Sequence, residues 1–136
     1  MKQIVMQGPR KSCVVEVPMP EFTDDQLLVK VTYTGMCHSE WYPWSIAKEG
    51  EIFGHEAVGV VAEAGKNVQG FKPGDRVTGL GGGGYKEYIV MDPVKTCHVP
   101  DNLKDEDAIV EPLACLLSCA VKMMPVTPGD PIAVVG

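Results

Sequence analysis

Apolar and polar positions along this chain change rhythm once. As far as His98, short runs rich in β-branched residues recur between glycine and proline signals; from Pro112 the apolar positions fall into a helical period. Residues 2–6 and 12–18 predict two strands around a turn at Gly8-Pro9. In the second, Cys13 sits among valines and reads as a small buried hydrophobe. Gln26 to Thr34 is the clearest strand; it ends at Gly35 and leaves Cys37 on the following loop, where a rigid element can position it. Cys37 to Tyr42 predicts the start of a helical turn that Pro43 interrupts.

Ala57 to Ala64 reads as a buried strand ending at Gly65, and Phe71 to Val77 as a turn running into another strand. Tyr85 to Val90 and Thr96 to Pro100 complete the β pattern. The run Gly81 to Gly84 is followed by no P-loop lysine and opens no helix, so it reads as a flexible connection or tight crossover. Cys97 and His98 are adjacent on a strand and point to opposite faces, which argues against joint ligation of one metal.

Leu113, Leu116, Leu117, Ala120, Val121 and Met124 trace one continuous apolar helix face, with Pro112 at the first helical position and Glu111 at the start. Cys115 and Cys119 lie on another side of that helix; buried core thiols are the expected reading, ahead of a chelating pair. Asp101 to Asp107 is an acidic loop leading to the helix. The chain closes on a Pro128-Gly129-Asp130 turn and an apolar run from Ile132 to Val135, the kind of strand that opens a parallel nucleotide-binding sheet.

Composition narrows this picture. With 136 residues, 45% hydrophobic and 22% charged, the chain suits one cored domain, or one domain and the start of another. A net charge of −6 disfavours nucleic acid and anionic membrane as partners. No apolar run reaches the roughly 20 residues needed to span a bilayer, and the N-terminus has no signal-peptide pattern. Five cysteines with no C-x-x-C pair point to reduced thiols in a cytoplasmic setting.

The densest chemistry is Gly54-His55-Glu56-Ala57-Val58-Gly59, with Gly65 beyond it and Cys37-His38-Ser39 upstream. Imidazole, carboxylate and thiolate are all zinc ligands. A His-Glu pair alone is weak evidence, because most are structural or solvated. The glycine spacing and the upstream cysteine make it stronger.

These motifs resemble those of the zinc-dependent medium-chain alcohol and polyol dehydrogenases, over essentially the whole chain. The likeness rests on Gly35-Met36-Cys37-His38-Ser39, the glycine-spaced His55-Glu56 and Pro73-Gly74-Asp75-Arg76-Val77. It continues in Gly84-Tyr85-x-Glu87-Tyr88, Glu111-Pro112-Leu113-Ala114 and Pro128-Gly129-Asp130. The resemblance implies a mainly β fold: a GroES-like β-barrel catalytic domain with a few short helices over residues 1–125. Residues 126–136 would then be the first strand of a truncated Rossmann domain for NAD or NADP.

It further implies Cys37 and His55 as zinc ligands. Glu56 would bind zinc or stand just behind the ligands. Glu111, as in the sorbitol and threonine dehydrogenase branch, would be a further ligand or a water-holding carboxylate. One thiolate, one imidazole and one carboxylate neutralise Zn²⁺, so one glutamate is expected to exchange with water or substrate. Ser39 matches the hydroxyl that relays the alcohol proton. His38 matches a position near the cofactor phosphate, with a solvated loop histidine as the rival reading.

The chain also departs from the pattern. The four-cysteine lobe of a structural zinc is missing where Gly81 to Gly84 lies, so one catalytic zinc is expected. Phe53 stands where proline is usual, and the Cys37–His55 interval is short, which makes the segment of Trp41 and Trp44 a candidate pocket wall. The implied parent is a homo-oligomeric oxidoreductase acting on a small alcohol or polyol. The piece in hand is expected to be inactive alone. The alternative is a zinc-free GroES-like binding or assembly module.

Overall fold

The β rhythm becomes seven strands in the computed structural model, which describes residues 1–133 and 135. β1 (Lys2–Gly8) and β2 (Lys11–Glu16) form an antiparallel hairpin. β3 (Leu27–Thr34), β4 (Glu56–Ala64), β5 (Arg76–Leu80), β6 (Tyr88–Met91) and β7 (Thr96–His98) form an antiparallel sheet in the order β6-β3-β4-β5-β7. Ile4 N–H donates to Tyr85 O at 2.9 Å and Gln3 bridges Lys86, so the hairpin is tied to the stretch leading into β6. The mainly β expectation holds.

Alternating side chains of the central strands make the core: Leu27, Val29, Ala57, Val61, Val77, Ile89 and Met91 are all buried in one cluster. The β3–β4 register shifts between Leu28 and Val29 and again between Val31 and Tyr33. Such bulges bend and twist a strand pair.

The approach to the second helix is bolted to this sheet. Arg76 Nε donates to Asp105 Oδ1 at 2.7 Å, and the Thr32 hydroxyl donates to Asp105 Oδ2 at 2.7 Å. The buried Thr78 hydroxyl donates to Ala57 O at 3.1 Å and accepts from Val110 N–H at 3.4 Å. Glu111 follows Val110 directly.

Several expectations need correction. Pro43 does not interrupt the helical turn: a 3₁₀ turn at His38–Glu40 runs into α1 (Trp41–Ser45), where Pro43 falls in the first turn and its missing N–H costs no helical bond. α2 (Glu111–Met123) begins one residue before the proline. Its apolar face is not covered: Leu113, Leu116, Leu117 and Val121 are each more than 60% exposed. Cys115 and Cys119 are exposed, not buried, for the same reason: no described element packs over this helix. Cys13 is half-buried.

Ile132, Ala133 and Val135 form no strand, and Val134 and Gly136 of that predicted strand lie outside the described residues. An apolar parallel strand needs neighbours to pair with, and none of the described strands pairs with this run. No described helix is long and apolar enough to cross a membrane.

Candidate metal centre

Three side chains from two segments meet at the end of the β3–β4 pair where Thr34 pairs with Ala57. Cys37 precedes the 3₁₀ turn that follows β3, His55 immediately precedes β4, and Glu56 is the first residue of β4. One ligand atom from each lies within 4.8 Å of the other two, and among the described residues this is the single such group. Glu56 is buried at 7% exposure; Cys37 and His55 are half-buried.

Two glycines make this possible. A Cβ on Gly35 would overlap Glu56 Oε2, so only glycine leaves the carboxylate its place; the Gly35 N–H also donates to Glu56 O at 2.8 Å. Gly54 has φ +95, and a Cβ there would lie 2.7 Å from Tyr85 N. Of the run expected to be a flexible connection or a tight crossover, Gly84 makes the close approach, its N–H donating to Gly54 O at 2.8 Å, while Gly81 and Gly82 have open space around them.

Glu40, which carries no motif signal of its own, organises the site. Glu40 Oε1 accepts from Gly54 N–H at 2.7 Å and is 2.8 Å from His55 Nδ1; Glu40 Oε2 accepts from the Tyr85 hydroxyl at 2.6 Å. An ionised carboxylate only accepts, so the hydrogen is on Nδ1 and the lone pair of the neutral ring is on Nε2. Carboxylates placed behind ligand histidines in this way orient the ring and raise its basicity. A signal existed: Glu40 is three residues from Cys37 across a helical turn, the spacing that puts two side chains on one face. Tyr85 is half-buried against the same carboxylate. Burial first, and then the Glu40 hydrogen bond, raises its phenol well above the ordinary value.

The Ser39 hydroxyl donates to Cys37 Sγ at 3.1 Å and is exposed. His38 is exposed on the same turn. Glu111 stands outside the three-residue group; its Oε1 accepts from the Cys115 thiol at 3.0 Å. That hydrogen bond raises the Cys115 pKa. Trp41 and Trp44 have ring centroids 5.3 Å apart, and Trp41 is exposed beside the Cys37 turn. Cys97 and His98 are both exposed on β7, and His98 stacks on Phe71 at 4.7 Å and not on a ligand group.

Residues 23–101 match the family model for the alcohol dehydrogenase GroES-like domain. Over the whole chain, the sequence is 27% identical to a sorbitol dehydrogenase of Bacillus subtilis, covering 49% of that protein. Over 79% of the chain it is 32% identical to the trans-enoyl reductase resD of Aspergillus sclerotiorum, covering 34% of it. The fold superposes on the alcohol dehydrogenase TADH from Thermus sp. ATN1 with a TM-score of 0.73 at 25% identity, over 81% of this chain and 43% of that one. The chain spans about half the length, or less, of the relatives it matches.

Proposed function

The chain belongs to the alcohol dehydrogenase GroES-like domain family, and from that premise we propose that it is the zinc-binding catalytic domain of an NAD(P)-dependent alcohol or polyol dehydrogenase. The convergence of Cys37, His55 and Glu56 within 4.8 Å carries the reading. A thiolate, an imidazole and a carboxylate are the donor types of a catalytic zinc site that keeps a position open. Family membership covers reductases as well as dehydrogenases, and retention of this ligand set favours metal-assisted alcohol chemistry.

When bound, zinc supplies a Lewis acid that lowers the pKa of an alcohol hydroxyl towards neutrality. The chain's own residues do the rest. Glu40 holds His55 by Nδ1 so that Nε2 is presented to the site. The exposed Ser39 hydroxyl, on the same turn as Cys37, accepts the proton that the substrate hydroxyl gives up and passes it outward. Glu56 supplies charge from the buried side. Glu111, at the start of α2, is the carboxylate that joins or leaves the ligand set. His38, exposed on the same turn, would be the residue to meet a cofactor phosphate. A dinucleotide-binding domain beginning near residue 126 would hold the nicotinamide cofactor, which would supply the hydride acceptor. Residues 1–125 form the catalytic domain, inert without that partner domain. One zinc per chain fits the glycine crossover at Gly81–Gly84, and five free thiols fit a reducing, cytoplasmic compartment.

Metal analysis of protein purified without chelator tests this. About one zinc per chain is expected, dropping to trace in Cys37→Ser and His55→Ala. Protein that neither retains nor takes up zinc would overturn the reading in favour of a zinc-free binding or assembly role.

A further inference from the structure

Tyr85 reaches the site from outside both segments that form it. Its N–H donates to Phe53 O at 3.4 Å, and its carbonyl accepts from Ile4 N–H at 2.9 Å, so the residue is braced between the His55 segment and β1. From there its hydroxyl donates to Glu40 Oε2 at 2.6 Å, while Glu40 Oε1 serves Gly54 N–H and His55 Nδ1. A glutamate has several rotatable bonds, and a carboxylate held by one oxygen can still swing about it. With Tyr85 on Oε2, both oxygens are fixed and the carboxylate has one orientation.

We propose that Tyr85 is a positioning residue of the metal centre: its hydroxyl, by holding Glu40 Oε2, keeps Oε1 on Nδ1 and so locks His55 in the tautomer that presents Nε2 as a ligand. This rests on the metal-site reading and adds a residue that touches no ligand. The phenol stays protonated, and therefore a donor, because burial and the adjacent carboxylate oppose its ionisation. Phenylalanine at this position keeps the ring and removes only the donor, which leaves Glu40 Oε2 without its partner.

The test uses this chain, metal-free and ¹⁵N-labelled, at about pH 8, above the ordinary imidazole range. The His55 nitrogen shifts should report a single Nδ1–H tautomer in the wild type and a mixture in Tyr85→Phe and in Glu40→Gln. Zinc, titrated against a chromophoric chelator, should bind Tyr85→Phe about tenfold more weakly. A Tyr85→Phe protein with the wild-type tautomer and zinc affinity overturns the inference, as does a mixed tautomer in the wild type. The wild type alone also decides it, should the variant not fold: the Tyr85 hydroxyl proton must be protected from exchange, and rapid exchange overturns the lock. A tautomer lost on Tyr85→Phe in a chain that takes up no zinc upholds the Tyr85 role and sinks only the metal reading.

Discussion

Glu40 Oε1 lies 2.8 Å from His55 Nδ1 and 2.7 Å from the Gly54 nitrogen, so one carboxylate oxygen grips both the His55 imidazole and the backbone that carries it. Glu40→Ala strips three donors of their acceptor at once. Zinc affinity should fall by about ten- to a hundredfold, the usual cost of losing the partner behind a ligand histidine. Stability should fall by about 1–3 kcal/mol, because a backbone N–H and a phenol are left unpaired in a partly buried place. Chelator competition and thermal denaturation measure the two effects, and wild-type zinc affinity in the variant would show that Glu40 does not orient the ligand.

Gly35→Ala separates the site from the fold. The new methyl must overlap Glu56 Oε2, and that carboxylate, not the strand, is the part free to move. Zinc binding should therefore be lost or greatly weakened, while overpacking costs the fold about 1–3 kcal/mol. A Gly35→Ala protein that binds a full equivalent of zinc by metal analysis would remove Glu56 from the ligand set.

Much of this was legible in the chain. β3 and β4 are rich in β-branched residues and closed by Gly35 and Gly65; β4 is buried over most of its length and β3 over Leu27–Val29, which is what such apolar runs require. Cys37, His55 and Glu56 were legible because their residue types and glycine spacing are chemically specific. Glu40 was not, since an acid on a polar turn looks the same in sequence whether it is solvated or clamped by Gly54, His55 and Tyr85. The exposure of α2 was equally hidden. Periodicity says that Leu113, Leu116 and Leu117 share a face; it says nothing of whether another element covers them.

Acid should loosen the anchor of the segment leading to α2. The Asp105 carboxyl is held below its ordinary value, by the Thr32 hydroxyl first and by Arg76 as well, against an opposing push from burial. A lowered folded value means that the stabilisation is complete above the unfolded carboxylate pKa and is lost as pH falls through the folded one. The melting-temperature gap between wild type and Asp105→Asn should be constant above about pH 5 and close progressively below it. A gap that persists unchanged into strong acid would refute the assignment.

α2 should be the least stable element of the described chain. It has 13 residues and none of them is buried, and an isolated helix of that length is marginal in water. Backbone amides of α2 should exchange with solvent far faster than those of β3 and β4, whose opening requires disruption of the Leu27–Val61–Ile89 core. Protection in α2 equal to that in the sheet would mean that its apolar face is covered in solution.

Cys115 reports on what Glu111 does. The thiol donates to Glu111 Oε1 at 3.0 Å, and that bond, with smaller contributions from burial and nearby charge, raises its pKa and suppresses the thiolate. Glu111→Ala should therefore speed alkylation of Cys115 by iodoacetamide near neutral pH, because the thiolate is the reactive form. Zinc should act in the same direction if Glu111 leaves the thiol to join the ligand set: the loaded wild type should alkylate at Cys115 faster than the metal-free protein, and Glu111→Ala should lose that zinc dependence. Alkylation at Cys115, resolved from the other four cysteines by peptide mass, reads both effects. Equal rates with and without zinc in the wild type would leave Cys37, His55 and Glu56 as the only protein ligands.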